Sequence, residues 1–398
     1  MRFLSLALLV LCLSAPAVAA LESPEFAGSI RSLSQLVESG PLLNERLLLS
    51  STTLRLSAEQ AITPAISAEA ALENQWLYAN PTGLVTPNSE PLNTSVDLTK
   101  TWREDENWST RLHVDSLYLR GRHGSLRWSA GRQPYGFGNI VLYSPLDIIA
   151  PFSPDAIDTE YRPGVDALRI DFATHRGDLL SYVTVWDDDE SLNSYLATGS
   201  FNFTGIDLLL IAGQLRDREM SGIGLAGGFG GLGIKGEMSW YQGKDVNTAG
   251  GDLHDEFAIA ASELWYRFDN DLMLLIEYLY NGAGTEDPSH YLQAANSATI
   301  SEGLNSLLGK NYLLFAPSIE IHPLLSLSLL GIWNLDDDSY LVRPQLSISL
   351  GENLALDVSH TLNRGSKPQK GILPGLTTPR SEFGMYGDSA ALYLRWYF

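Results

Sequence analysis

The last nine residues of this 398-residue chain restrict its fold more than any other feature. In steps of two, one side of the segment is apolar throughout and carries Phe398, Trp396, Leu394, Leu392 and Ala390. The other side carries Tyr397, Arg395, Tyr393 and Ala391. A period of two predicts a β-strand, because successive side chains of a strand point to opposite faces. An apolar face opposite a charged one is typical of a strand between lipid and water.

The beginning of the chain predicts export. Arg2 is followed by an apolar run from Phe3 to Leu13 and then by Ala17-Val18-Ala19, which together form a secretory signal peptide. We predict that residues 1–20 are this signal. The single cysteine, Cys12, lies within it, so the mature chain offers no disulfide and no thiolate metal ligand. A formal net charge of −21 also makes nucleic acid a poor partner.

A secreted chain whose last strand is amphipathic and ends on phenylalanine resembles a bacterial outer-membrane β-barrel. The resemblance implies a place in the outer membrane of a Gram-negative cell, in contact with its lipid and lipopolysaccharide. In that family the insertion machinery reads the terminal aromatic strand, which implies this role for Trp396 and Phe398. No mature segment approaches the roughly 20 apolar residues of a membrane helix.

Strand and turn patterns alternate from Arg46 onward. The predicted strands are 45–58, 66–78, 93–103, 108–121, 124–132, 164–173, 178–187, 195–202, 206–215, 220–229, 231–242, 256–268, 271–282, 311–322, 325–335, 339–349, 353–363 and 388–398. They predict an all-β domain over 45–398, a transmembrane antiparallel barrel of about 18 strands. The patterns at 66–78, 93–103 and 195–202 are weakest. Loss of one hairpin would leave about 16 strands, which is also the even number that a single-chain barrel needs.

Residues 21–44 follow a different pattern. Ser23-Pro24 is typical of a helix start, and Gly40-Pro41 of a helix end. Between them the apolar residues share one helical face: Phe26, Ile30, Leu33 and Val37. We predict a short amphipathic helix on the periplasmic side or in the mouth of the barrel. The alternative is a partly ordered leader to the first strand.

Counting back from the terminal strand predicts a direction for every strand. Short turns such as Gly230-Gly231 and His322-Pro323 then fall at the periplasmic end. Four long connections fall outside: 133–163, 243–255, 283–310 and 364–387. This asymmetry is typical of outer-membrane barrels. The long segment 79–92 is an exception, because it falls among the short turns.

Side-chain alternation predicts a wet lumen. Within 108–121, Leu112, Val114 and Tyr118 lie opposite the polar face. Five polar or charged residues from this strand and two later ones are expected to face the lumen: Arg111, His113, Asp115, Glu320 and Arg343. Barrels of about 16 to 18 strands are wide enough to hold an aqueous channel.

One segment carries a sequence motif. Gly131-Arg132-Gln133 is followed by Pro145-Leu146-Asp147 and then by Arg162-Pro163-Gly164-Val165-Asp166-Ala167-Leu168. The motif resembles that of a broad group of uncharacterised outer-membrane barrels related to substrate-selective and alginate-export porins. The resemblance implies six candidates for a pore constriction: Arg132, Asp147, Asp155, Asp158, Glu160 and Arg162. Fixed opposite charges in a narrow channel orient polar solutes and set ion preference. Alternatively, the arginines pair with the acids only to hold the loop.

The predicted function is passive diffusion of small polar or charged solutes, with no cofactor and no catalytic residue. One alternative is a structural sheath around a partner, such as a cytochrome or a polysaccharide-export assembly. The other is a barrel enzyme, although the seven His residues show no metal-binding spacing. The sequence leaves open the solute, a homo-oligomer, a periplasmic partner and whether loop 133–163 enters the lumen.

Overall fold

Eighteen antiparallel strands close into a barrel in the computed structural model, which describes residues 23–41, 45–81, 92–246, 248–370 and 377–398. The predicted signal peptide lies outside these ranges. The barrel strands are β1 (Glu25–Val37), β2 (Leu47–Thr63), β3 (Ile66–Asn80), β4 (Trp108–His123), β5 (Leu126–Pro134), β6 (Gly164–Ala173), β7 (Leu179–Trp186), β8 (Ser194–Phe203), β9 (Ile206–Leu215), β10 (Arg218–Phe229), β11 (Leu232–Gln242), β12 (Glu256–Arg267), β13 (Met273–Asn281), β14 (Asn311–Phe315 and Ser318–His322), β15 (Leu325–Asn334), β16 (Ser339–Gly351), β17 (Leu354–Arg364) and β18 (Ser389–Tyr397).

The other regular elements are short and lie in the connections between strands. The two α-helices are Tyr291–Ala295 and Ala298–Ser301, and the 3-10 turns are Glu190–Leu192, Pro288–His290 and Phe383–Met385. Short strands also occur at Thr99–Glu104, Gln369–Lys370 and Thr377–Thr378. No helix of the described ranges is both long and apolar enough to cross a membrane.

The barrel closes where β1 pairs with β18, from Ser29 opposite Tyr397 to Val37 opposite Ser389. Gly28 and Phe398 complete the ladder with two backbone hydrogen bonds of 2.8 and 2.9 Å. The prediction of a helix within 21–44 is therefore wrong. Without β1, both β2 and β18 would be left with an unpaired edge, and this tertiary requirement outweighs the local spacing of apolar residues.

The predicted number of strands is right because two errors compensate. β1 was not predicted as a strand, whereas 93–103 was predicted to cross the barrel and does not. Only Thr99–Glu104 of that stretch is a strand, and it pairs with the first residues of β4. β3 therefore ends, and β4 begins, at the same end of the barrel as the long connections. Most of the exception that the sequence left at 79–92, residues 82–91, lies outside the described ranges.

Every connection at one end of the barrel is short, whereas all the long connections lie at the other end. The first, the turn end, holds the connections 64–65, 124–125, 174–178, 204–205, 230–231, 268–272, 323–324 and 352–353. The other, the loop end, holds the described residues 38–41, 45–46, 81, 92–107, 135–163, 187–193, 216–217, 243–246, 248–255, 282–310, 335–338, 365–370 and 377–388. Every short turn and long loop that the sequence assigned from 108 onward lies at the expected end.

Apolar side chains cover the outward face of the strands. On β18 the outward Leu392 and Trp396 are 52% and 45% exposed, whereas the inward Tyr393 is 2% exposed. This confirms the two faces predicted for the terminal strand. Outward leucine, isoleucine and aromatic residues recur around the barrel, among them Leu210, Ile234, Leu264 and Ile276. Such a belt is stable only in an apolar environment.

A β-bulge in β4 changes the alternation predicted for this strand. Ala71 pairs with Ser116 and Leu72 with Val114, so Asp115 is an extra residue in the ladder. Residues after the bulge turn to the opposite face from the one that simple alternation gives. Tyr118 therefore points into the lumen, where its hydroxyl donates to Glu69 at 2.5 Å. Its predicted outward position is wrong.

The main apolar core lies inside the barrel. The inward faces of β6–β16 carry its buried residues, which include Val183, Leu196 and Ile211. They pack against Leu146 and Ile148 of the β5–β6 connection, residues 135–163, which we call the inward segment. The lumen is thus not lined by polar groups all round, as the alternation alone suggested.

We expect Ser32→Pro in β1 to prevent stable closure, because β1 is hydrogen-bonded on both sides and proline removes a ladder donor. An unmet backbone group within an apolar environment costs several kcal/mol. The measurement is the fraction of purified protein that migrates as a compact barrel on an unheated detergent gel. The matched control, Ser32→Val, keeps the donor and should migrate as the parent does. Equal migration of the two variants would contradict the assigned register.

Candidate functional site

The inward segment crosses the lumen instead of lying over the loop end. It leaves β5 at Pro134 and returns to β6 at Gly164. Between these points its residues contact inward side chains of β11–β13 on one wall and of β1, β16 and β18 on the other. The structure thus answers the question that the sequence left open about loop 133–163. The lumen is narrowed by the chain's own connection.

The first half of the inward segment is held by a buried carboxylate, Glu237 of β11. One of its oxygens accepts the backbone N–H groups of Asn139 and Ile140 at 2.6 and 3.1 Å. The other accepts the N–H of Leu146 at 3.3 Å and the hydroxyl of Ser144. An irregular segment inside a barrel has donors that no strand can satisfy, and a carboxylate accepts several at once.

The next two strands repeat this arrangement. Glu263 of β12 accepts the N–H of Val141 at 2.7 Å, and its charge is balanced by Lys235 at 2.8 Å. Glu277 of β13, which is paired with Glu263 in the sheet, accepts the N–H of Tyr143 at 3.3 Å. The three glutamates are 0–4% exposed and therefore anchor the segment rather than line a water-filled path.

The second half of the segment is held by arginines of the opposite wall. Arg31 of β1 contacts Asp158 at 2.6 Å, and Arg395 of β18 pairs with Glu160. Arg343 of β16 donates to two backbone carbonyls, including that of Ala156 at 3.3 Å. The two halves are thus fixed by opposite means, wall carboxylates on one side and wall cations on the other.

Tyr161 lies between two guanidinium groups. Arg31 and Arg55 lie 4.7 and 4.4 Å from the centre of its ring, within the range of a cation–π contact. Arg55 also bridges Glu73 of β3 and Asp115 of β4. This cluster joins β1–β4 to the segment, and each buried charge in it has an opposite charge beside it.

A cavity of about 300 Å³ remains between the second half of the segment and the β1–β4 wall. It is lined by charged and polar groups of the wall and by Phe152, Asp158 and Tyr161 of the segment. Arg111 donates to the amide oxygen of Gln75 at 2.9 Å. Among the described residues Arg111 has no carboxylate partner, and the Nε atoms of Arg31 and Arg111 have no acceptor. The cavity is therefore bordered by one guanidinium, that of Arg111, whose charge no carboxylate balances among the described residues.

Three residues of this wall meet the geometry of a metal site. Glu73, His113 and Asp115 each bring a ligand atom to within 4.8 Å of the others. However, the guanidinium of Arg55 already bridges the two carboxylates. A cation would have to displace Arg55 and would lie near Arg31 and Arg111, so Coulomb repulsion opposes its binding.

Five of the six predicted constriction residues fall into two groups. Asp158 and Glu160 meet wall arginines across the lumen, and Asp155 lies beside Arg343 through its backbone carbonyl. Arg162 instead binds Asp147 at 2.7 Å and the carbonyl of Ala150 at 2.6 Å, all within the segment. This pair holds the shape of the segment, which is the alternative role that the sequence left open.

Arg132 is part of the wall. Its guanidinium makes two bonds of 2.8 and 3.0 Å with Asp166 on the neighbouring strand and one of 2.6 Å with the carbonyl of Val96. Asp166 in turn accepts the N–H of Ser95 at 2.8 Å. The first and last parts of the sequence motif thus meet as one ion pair, which fixes residues 95–96 beside β5 and β6.

The five residues predicted to face the lumen lie on inward faces. Arg111, His113 and Asp115 border the cavity, whereas Glu320 lies exposed near the turn end, opposite Ser326. Sequence reasoning missed Arg31, Arg55 and Tyr161 as site residues. Arg31 was missed because its segment was predicted as a helix and not as a strand of the wall. Arg55 was missed because nothing in its spacing distinguishes it from other strand arginines. Arg395 was placed on the polar face of β18 but was not assigned to the site.

The comparisons with known proteins agree with this architecture. No protein-family model and no curated protein matches the sequence. The crystal structure of Pseudomonas aeruginosa OccK5 (OpdH) matches with a TM-score of 0.60 at 9% identity, over 96% of this chain and 99% of that chain. Acinetobacter baumannii OccAB4 and P. aeruginosa OpdK with vanillate each give 0.59 at 9% identity, over 95% and 99%. These similarities establish the fold.

A second buried network joins the connections at the loop end. Glu382 accepts the N–H of Leu308 at 2.9 Å, the amide of Asn334 at 2.8 Å and the hydroxyl of Tyr312. Its own N–H donates to Asp337 at 2.7 Å. Burial raises the pKa of the Glu382 carboxyl to about 7. Residues 377–388 are therefore held by a group that titrates near neutral pH.

We expect the attachment of residues 377–388 to weaken as the pH rises from 5 to 8. The folded-state pKa of Glu382 lies above its ordinary value of 4.5, so its stabilising contribution is complete below pH 4.5 and lost by about pH 7. The loss is at most about 3 kcal/mol. The measurement is amide hydrogen exchange of 377–388, corrected for the intrinsic rate at each pH. Glu382→Gln should remove the pH dependence, and a dependence that persists in this variant would assign it to another group.

We expect Glu237→Ala to release the first half of the inward segment, because three backbone donors and one hydroxyl lose their acceptor. Each buried unmet donor costs about 1–3 kcal/mol. The measurement is protease cleavage within 135–150 in the folded, detergent-solubilised protein. Glu320→Ala is the control, since that exposed inward glutamate does not touch the segment in the described contacts. Resistance equal to that of the control would refute the anchoring role.

Proposed function

We propose that this chain is a channel of the Gram-negative outer membrane, through which small polar or charged solutes diffuse passively. The observation that carries the proposal is the charged cavity of about 300 Å³ between the inward segment and the β1–β4 wall, which the Arg111 guanidinium borders without a carboxylate partner among the described residues. We propose that solutes pass through this cavity, and we call this path the passage. Similarity in fold to OccK5, OccAB4 and OpdK supports the same class of function. In this orientation the turn end faces the periplasm and the loop end faces outward.

We further propose that the preferred solutes carry a carboxylate beside other polar groups. Of the three arginines that line the cavity, Arg111 is the one without a carboxylate partner among the described residues, and it donates to the neutral amide of Gln75. A guanidinium can bind a carboxylate through two parallel hydrogen bonds. The OpdK structure was solved with vanillate, which is a small aromatic carboxylate, and this agrees with the proposed class.

The other parts of the assignment belong to this proposal. The outward Trp396 and Phe398, 45% and 51% exposed, are accessible to the barrel-insertion machinery. The Arg132–Asp166 pair gives the motif of the alginate-export-like group a structural role, which supports membership of that group. The structural-sheath alternative is disfavoured, because the inward segment and its core already occupy one side of the lumen.

The experiment is conductance of the purified protein in planar bilayers, with the reversal potential measured in a salt gradient. We expect Arg111→Gln to lower the anion-to-cation permeability ratio by about two- to fivefold, since a unit charge at 4 Å is worth about 1 kcal/mol in water. The control is Arg103→Gln, which removes an exposed arginine of the loop end that pairs with Asp105.

Two results would count against the proposal. Absence of any conductance from correctly folded protein would refute the channel. An equal reversal potential for Arg111→Gln and Arg103→Gln would refute the place of Arg111 in the passage and the preference for carboxylates.

A further inference from the structure

Two glycines of β10 lie where the inward segment packs against the wall. Gly222 and Gly224 are inward positions on the strand that pairs with β11, the strand of Glu237. A Cβ atom added at Gly224 would lie 2.9 Å from Cδ1 of Leu146, and one at Gly222 would lie 2.5 Å from its Cδ2. Leu146 is fully buried. We call these two positions the glycine socket.

The backbone of β10 does not itself require glycine here. Neither residue of the socket has the positive φ that disfavours other residues, in contrast to Gly213 on the neighbouring strand at φ 153°. At Gly224 the next nearest atoms, in Glu237 and Leu209, are at ordinary contact distances of 3.5 and 3.6 Å. At Gly222 a Cβ would also meet Ile211 at 2.8 Å. Leu146 is therefore the one close obstacle at Gly224.

The position of Leu146 determines that of the rest of the segment. Its N–H is bonded to Glu237, and Asp147, which follows it, pairs with Arg162 next to Tyr161. The contact of Leu146 at the glycine socket is thus connected through Asp147 and Arg162 to Tyr161, which borders the passage. A rigid packing contact on one wall transmits a displacement because protein interiors have little free volume.

We infer that Gly222 and Gly224 are positioning residues for permeation: by admitting Leu146 they fix how far the inward segment stands from the β1–β4 wall. They touch no solute, because the segment lies between them and the passage. A larger residue at either position would push Leu146 and the segment toward the arginines and narrow the passage. The conduction part of this inference rests on the proposed channel function.

The test uses four variants of the full chain: Gly224→Ala, Leu146→Ala, the double variant, and Gly236→Ala as control. Gly236 lies on the outward face of β11, where the nearest atom to an added Cβ is the backbone oxygen of Ala261, 4.0 Å away. The first measurement is the distance between spin labels at Val141 and Glu219, which are both exposed. The second is single-channel conductance, and the third is the melting temperature.

We expect Gly224→Ala to shift the distance distribution, lower the melting temperature and reduce conductance. Gly236→Ala should change none of the three. Leu146→Ala removes the obstacle, so adding Gly224→Ala to it should have no further effect. This rescue separates a steric contact with Leu146 from a general intolerance of β10 to alanine.

The inference is overturned if Gly224→Ala behaves like Gly236→Ala, or if Leu146→Ala does not rescue it. It is also overturned if the distance shifts while conductance stays unchanged, because the socket would then not set the passage. If the parent protein does not conduct at all, the proposed function fails, and the distance and melting data alone decide whether the glycines position the segment.

Discussion

The attachment of the inward segment to both walls is the constraint on which the interior depends. An irregular chain inside a barrel carries backbone donors and acceptors that the strands cannot satisfy. Glutamates of β11–β13 accept the donors of its first half, and arginines of β1, β16 and β18 bind the acids and carbonyls of its second half. Without the glutamates or without the arginines, buried polar groups of the segment would have no hydrogen-bond partners.

This attachment divides the lumen into a dry side and a polar side. The segment packs leucine and isoleucine into the core formed by the inward faces of β6–β16, which removes this part of the wall from water. The cavity that remains lies against β1–β4 and is lined by charged and polar groups. The space left inside the barrel is therefore narrow, and the charge beside it comes from a few strands.

Local pattern predicted the regular parts of this protein well, because alternation and turn residues act within a few positions. It failed where distant groups decide. The segment around Ile30, predicted as a helix, is a strand because β2 and β18 both need a pairing partner there. The stretch 93–103, predicted to cross the barrel, forms only a short strand paired with β4. The bulge at Asp115 places Tyr118 on the inward face, and no residue near Asp115 in the sequence predicts this bulge. Of the residues predicted to form a constriction, Asp158 and Glu160 pair with arginines of the opposite wall. Arg132 instead pairs with Asp166 within the wall, and Arg162 pairs with Asp147 within the segment.

The class of fold, the end of the barrel at which each turn or long loop lies and the apolar outer face follow from the amino-acid pattern, because they depend on a period of two and on where short turns fall. What lies in the lumen depends instead on the tertiary structure. Whether Arg31 meets Asp158, or Leu146 meets Gly224, depends on residues far apart in the chain, and the spacing along one strand contains no information about the opposite wall. The alternation thus predicted a barrel with a polar inner face, and long-range packing narrowed its lumen.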